Sequence, residues 1–178
     1  NTCNTLHSLL NFKTIPIINE NDTISVDEIT FGDNDILSAL VTNLLQADLL
    51  ILLSSVDGLY TTPPTSGKRC RVLSVVDSIS DDIKKLAFKQ KTKEGVGGME
   101  SKFEAANIAT GSGEAVIIAN GMQSGILSKI MNYDDVGTLF VPCNKKITSR
   151  KRWIGFTVKP KGRVYIDEGA LGALQKKG

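Results

Sequence analysis

The chain has 178 residues, enough for one good-sized core or for one domain and part of another. Twenty-one basic and nineteen acidic side chains leave a formal charge of +2, which excludes the broad electrostatic footprint of a nucleic-acid or membrane-surface binder. Apolar residues make up 41% and aromatics only 6%, a balance typical of an α/β protein rich in Leu, Ile, Val and Ala, and the longest apolar run, Leu49 to Leu53, is far too short to span a bilayer.

Asn1 to Asn11 reads as a helix with Leu6, Leu9 and Leu10 on one face. It is already under way at the first residue, so a fragment with structure missing on both sides is expected. Thr14-Ile15-Pro16-Ile17-Ile18 is an apolar run that fits a buried strand, and Ile24, Val26 and Ile29 fit a β-ribbon. Asp33 is a natural N-cap for a helix with Ile36, Leu37, Leu40, Val41, Leu44 and Leu45 at helical spacing. Leu49 to Leu53 is the next buried strand. Val56-Asp57-Gly58 turns the chain, and Pro63-Pro64 marks an excursion. Val72 to Val76 fits a short strand, Ser80 caps a helix over Asp81 to Phe88, and Lys89 to Gly98 is a basic, glycine-rich loop. The helical period returns from Met99 to Gly111 and Gly113. Ala115 to Ala119 reads as strand, Ser124 to Tyr133 as helix and Thr138 to Val141 as strand. This alternation predicts an α/β fold with a mainly parallel sheet covered on both faces. Beyond Pro142 the texture changes, with a basic stretch at Lys145 to Arg152, and Gly162 to Ala170 reads as a strand, a turn and a helix start. A domain boundary is expected between Pro142 and Pro160.

Ligands of open α/β sheets bind beyond the carboxyl ends of the strands. Two acidic-amide clusters, Asn19-Glu20-Asn21-Asp22 and Gly32-Asp33-Asn34-Asp35, follow the first strand and open the next helix. Their mixture of donors and acceptors suits a zwitterion better than a bare phosphate, although turn chemistry and N-capping also account for Asp33 and Asn21. Gly95-Val96-Gly97-Gly98-Met99-Glu100-Ser101-Lys102 is similar to the P-loop pattern without matching it. Its glycines let backbone amides approach an anion, and Lys102 could neutralise charge on a transferring phosphoryl group. Ser54-Ser55 should lie at the carboxyl edge too, to touch a nucleotide or only to close a turn. His7 has no partner for catalysis or metal binding, and packing accounts for Trp153 better than stacking on a ligand. Cys3, Cys70 and Cys143 show no metal spacing, and a reduced cytoplasmic protein is the simplest reading.

These segments, in this order, closely resemble the glutamate 5-kinases of the amino acid kinase family. The resemblance rests on Ile15 to Asp22, on Gly32 to Asp35 with Leu37-Ser38-Ala39, on Asp57-Gly58-Leu59-Tyr60 and on Gly97-Gly98-Met99 with Ser101-Lys102. Gly137-Thr138-Leu139-Phe140 and Arg150 to Ile154 extend it over essentially the whole chain. It implies a three-layer α/β/α sandwich and an ATP-dependent phosphorylation of the γ-carboxylate of L-glutamate, the first step of proline biosynthesis. By position it implies glutamate contacts at Asn19, Asp22 and Asn34, a catalytic role for Lys102, and an aspartate, Asp35, that orients the catalytic lysines. ATP-binding positions are implied at Ser54, Ser55, Val96, Gly97, Gly98, Met99, Glu100, Ser101 and Lys102, with Mg²⁺ travelling on the nucleotide.

The resemblance further implies feedback inhibition by proline and a homodimer or homotetramer, while the balanced charge and short apolar runs argue against a membrane or nucleic-acid partner. It divides the chain into the C-terminal part of a kinase domain (1–143), a linker (144–160) and the start of a small β-rich PUA domain (161–178). Three departures stand out. Ser55 and Val96 replace an Asp and a hydroxyl residue common in relatives. The family's first phosphate-binding lysine and its glycine-rich loop are absent, so the 178-residue segment alone is expected to show no turnover. The competing readings are another amino acid kinase, such as an acetylglutamate, aspartate or uridylate kinase, a non-catalytic amino-acid sensor, and, on the basic stretch alone, an RNA-binding module.

Overall fold

A computed structural model describes residues 2–20, 34–62, 70–89, 98–143, 162 and 165–177. Its elements in chain order are α1 (Thr2–Asn11), α2 (Asn34–Leu45), β1 (Leu49–Ser54), β2 (Val75–Val76), α3 (Asp81–Lys89), α4 (Met99–Ser112), β3 (Ala115–Asn120), α5 (Ile126–Met131), β4 (Thr138–Phe140) and α6 (Glu168–Lys177). The strands form one sheet in the order β1-β3-β4-β2. β1 runs parallel to β3 with Leu49 opposite Ala115, and β2 runs parallel to β4. β4 is antiparallel to β3, with Val116 opposite Phe140.

Strand alternation splits the core into two layers. Leu50 and Leu52 of β1, Val116 and Ile118 of β3 and Phe140 of β4 point to one face, where they meet Ala39 of α2 and Phe103, Ala106 and Ala109 of α4. Leu49, Ile51 and Ile117 point to the other face and pack with Ile126 and Ile130 of α5. Helices therefore cover both faces of a mainly parallel, mixed sheet, as the alternation predicts. α2 and α4 pack against each other, and Ala39, Ala105, Ala106 and Ala109 are fully buried, small enough to let the two backbones approach.

The connections decide which end of the sheet matters. Only three residues separate α2 from β1, and two separate α4 from β3. Each helix therefore ends where its strand begins and runs back alongside it. Twelve and fourteen helical residues span about 18 and 21 Å, and each six-residue strand spans about 20 Å. The first turns of α2 and α4 consequently lie at the carboxyl edge of β1 and β3.

Several expectations are corrected. Thr14 to Ile18 is not a buried strand: the stretch has no regular structure, and Ile15 and Ile17 are 90% and 96% exposed. Its apolar character matches a strand, but no described strand lies alongside to supply the ladder. In α1 only Leu6 is buried, while Leu9 and Leu10 are exposed. Val72 makes an isolated bridge to Tyr60, so the strand expected from there shortens to Val75–Val76. The helix expected over Ser124 to Tyr133 shortens to Ile126–Met131, behind a left-handed Gly125. Its six residues span only about 9 Å, too little to carry the chain back along β3, so β4 starts beside the end of β3 and runs the opposite way.

Near the C-terminus the described residues Tyr165, Ile166 and Asp167 carry no strand. The expected helix start is present, since Asp167 Oδ1 accepts the Ala170 amide at 2.7 Å and caps α6. The expected ribbon around Ile24 to Ile29, the Asp33 cap, Pro63-Pro64, the boundary segment 144–160 and Trp153 lie outside the described residues.

Candidate active site

α4 begins at Gly98, whose backbone is extended (φ −70°, ψ −165°) and whose position supplies no side-chain cap. The helix therefore presents unpaired amides and the positive end of its dipole to whatever lies in front. One turn in, Lys102 stands where a cation works against that dipole. Its partner comes from the neighbouring unit: Lys102 Nζ donates to Asp35 Oδ2 at 2.8 Å, and the two side chains are 12% and 16% exposed. Ser101 Oγ lies 2.9 Å from the same carboxylate oxygen and 3.1 Å from the Gly98 carbonyl. Asp35 sits in the first turn of α2, where the dipole favours an anion. It thus accepts from two consecutive residues of α4 and fixes the direction of the lysine.

Of the residues singled out from sequence, Asp35, Ser101, Lys102 and the Gly98 turn come together in this way. Asn34 opens α2 beside Asp35 and is exposed. Asn19 is exposed in the irregular stretch after α1 and makes none of these bonds. Met99 is 3% exposed and belongs to the core, so only its backbone is offered to a ligand, while Glu100 faces solvent. Ser54 ends β1 and Ser55 follows it, at the same carboxyl edge. Asp22, Val96 and Gly97 lie outside the described residues. His7 is exposed on α1.

Sequence reasoning gave no role to a second polar group on this edge. Asp57, in the loop after β1, accepts from Asn120 Nδ2 at 2.9 Å and from the Tyr60 hydroxyl at 2.9 Å. Burial, and then the hydrogen bond to Asp57, push the Tyr60 phenol above its ordinary value. The Gly121 amide donates to the Ser54 carbonyl at 2.8 Å. These bonds tie the ends of β1 and β3 together across more than sixty residues of sequence. The available signal was positional: Asn120-Gly121 closes a strand at the edge where ligands bind.

An uncapped helix start, a held lysine and an adjoining rim of hydroxyls and amides thus share the carboxyl edge of the sheet. The family model described as "Amino acid kinase family" matches residues 1–120. Over all 178 residues the chain is 48% identical to the glutamate 5-kinase of Thermoanaerobacter sp. (strain X514) and 47% identical to that of Syntrophotalea carbinolica, covering 48% of each. It thus spans about half the length of the curated relatives it matches. Among solved structures, UMP kinase from Bacillus anthracis aligns with a TM-score of 0.54 at 16% identity, over 78% of this chain and 50% of that one. That is a likeness of fold.

Proposed function

The chain belongs to the amino acid kinase family, and on that footing we propose that it serves the ATP-dependent phosphorylation of the γ-carboxylate of L-glutamate, the first step of proline biosynthesis. The observation that carries this reading is the Asp35–Lys102 pair at the uncapped start of α4. The near-half identity to glutamate 5-kinases along the whole chain supports the choice of glutamate as acceptor.

The chemistry asks little of a general base, because a carboxylate is already a nucleophile. One of its oxygens forms a bond to the γ-phosphorus of ATP while the bond from that phosphorus to the β–γ bridging oxygen breaks, and ADP leaves with the electron pair. The difficulty lies in bringing two anions together and stabilising the equatorial oxygens in the transition state. Lys102 meets that charge, held in place by Asp35, and the α4 amides receive the phosphates. Asn19, Asp22 and Asn34 supply donors and acceptors for the glutamate backbone, and Ser54, Ser55 and residues 96–101 flank the nucleotide.

No group of three or more His, Cys, Asp or Glu side chains among the described residues could cage a metal ion, and Asp35 Oδ2 is already taken by Lys102 and Ser101. This donor set suits a Mg²⁺ that arrives on the ATP phosphates and neutralises them there. No described helix is long and apolar enough to cross a membrane, and we assign the protein to the cytoplasm. Inhibition by proline at the glutamate pocket and a homodimeric or homotetrameric assembly belong to the same reading, as does a PUA domain beginning near residue 161.

The full-length protein, given ATP with L-glutamate, N-acetyl-L-glutamate, L-aspartate or UMP in turn, should form ADP only with L-glutamate. Phosphorylation of N-acetylglutamate in place of glutamate would overturn the assignment.

A further inference from the structure

β3 ends on a chemically labile pair of residues. Asn120-Gly121 is the chain's single Asn-Gly dipeptide. In such a pair the glycine backbone nitrogen can attack the asparagine side-chain carbonyl carbon, because no side chain on the glycine shields it. A bond forms from that nitrogen to Cγ, the Cγ–Nδ2 bond breaks, and Nδ2 leaves as ammonia with the proton that the glycine amide gives up. Water then opens the cyclic imide at either carbonyl and leaves aspartate or isoaspartate. Water is the only co-reactant. The packing itself favours the reactive glycine, since a Cβ at Gly121 would crowd Leu53 Cβ at 3.1 Å.

Every group that this reaction needs is engaged elsewhere. The nucleophile, the Gly121 N–H, donates to the Ser54 carbonyl at 2.8 Å. The leaving group, Asn120 Nδ2, donates to Asp57 Oδ1 at 2.9 Å. The carbonyl oxygen, Asn120 Oδ1, accepts the Met122 amide at 2.9 Å. Asn120 is also the last residue of β3, in register opposite Ser54. Ring closure requires Gly121 to release Ser54 and the side chain to release Asp57, so at least two of these bonds must break together. Asp57 is itself held, because its second oxygen accepts the Tyr60 hydroxyl at 2.9 Å. Burial does not protect the pair: Asn120 is half-buried, Gly121 is exposed and Met122 is 84% exposed. Water reaches it, and hydrogen bonding holds it.

We propose that Asn120 is a guarded deamidation site, inert while the ends of β1 and β3 stay tied and open to conversion whenever that edge opens locally. The product reverses the sign of the contact. A carboxylate at position 120 faces the Asp57 carboxylate at hydrogen-bond distance, and like charges repel where an amide had donated. Isoaspartate also lengthens the main chain by one methylene, at the residue paired with Ser54. Conversion is irreversible, so it removes the tie that prevented it and leaves the edge beside Ser54 and Ser55 loosened. The inference concerns the chemistry of this edge and holds whichever reaction the protein serves.

Peptide mass mapping of the full-length protein, incubated at physiological temperature and mildly alkaline pH, tests it by reading aspartate and isoaspartate at position 120. Conversion in native buffer should be slower than in concentrated urea by on the order of a hundredfold, the usual effect of two hydrogen bonds of which one is to a charged group. Asp57→Ala removes one guard and should raise the rate in native buffer roughly tenfold. Thermal melts test the product separately. Asn120→Asp should melt below wild type, and Asp57→Asn placed beside it should restore most of the loss, because donor and acceptor have only changed places. Equal rates in native buffer and urea, no acceleration in a folded Asp57→Ala variant, or a double variant no more stable than Asn120→Asp overturns the inference. If Asp57→Ala does not fold, the urea comparison and the exchanged pair decide it.

Discussion

Lys102 breaks a local rule, since a cation in the first turn of a helix opposes the macrodipole. Asp35, 67 residues earlier, restores the balance from another helix. A residue placed against its local preference and compensated from afar is the pattern expected of the catalytic lysine proposed above. Lys102→Ala should lower kcat by about 10²–10³, the usual loss of one transition-state donor, with glutamate affinity retained. Asp35→Asn should lower kcat through the misdirected ammonium, and the double variant should be little worse than Lys102→Ala alone, because the two act as a unit. Steady-state kinetics on the three variants check this; fully additive losses would separate their roles. Spacing alone did not join these residues. Their pairing in the sequence reading came from the family resemblance, because nothing local in the sequence records which helix will lie beside which.

At the scale of elements, the legible parts were those with local causes. Ser80 caps α3 through its hydroxyl, 3.4 Å from the Ile83 amide, and α4 ends at the glycine expected to end it, Gly113, in the left-handed region. The strand expected at Thr14 to Ile18 failed because apolar content says nothing about a partner for the ladder. The reversal of β4 was equally hidden, since it follows from the shortness of α5 and from Gly137. Gly137 has φ +77°, and a Cβ there would meet the Ile118 carbonyl oxygen at 2.5 Å. Gly125 has a similar φ of +71° with open space around it. Gly125→Ala should therefore cost only the left-handed strain, about 1–2 kcal/mol, and Gly137→Ala clearly more, as urea midpoints will read. Equal costs would mean that β4 shifts freely and that the close approach is not a constraint.

Over the whole molecule, the three-layer plan and its mainly parallel sheet were legible from the alternation of helices and strands. The division into a large core under α2, α3 and α4 and a small one under α5 was not, since both draw on the same strands at alternating positions. Stability itself carries one predicted signature. Tyr60 titrates higher folded than unfolded, so its contribution is complete below pH 10.0, its ordinary value, and is lost as the pH rises through the folded value. The stability difference between wild type and Tyr60→Phe should be flat from neutral pH to about 9 and shrink above 10. A difference that grows with alkalinity would reverse the sign and remove the Asp57 bond from the account.

The two short turns that join α2 to β1 and α4 to β3 have a mechanical consequence. They make each helix and its strand one arm, and the bonds from Lys102 and Ser101 to Asp35 rivet the tips of both. A slip of one arm along the other by a fraction of a helical turn would pull these bonds open and also disturb the alanine packing between the two helices. Turnover and melting should therefore both report the alignment of the two arms.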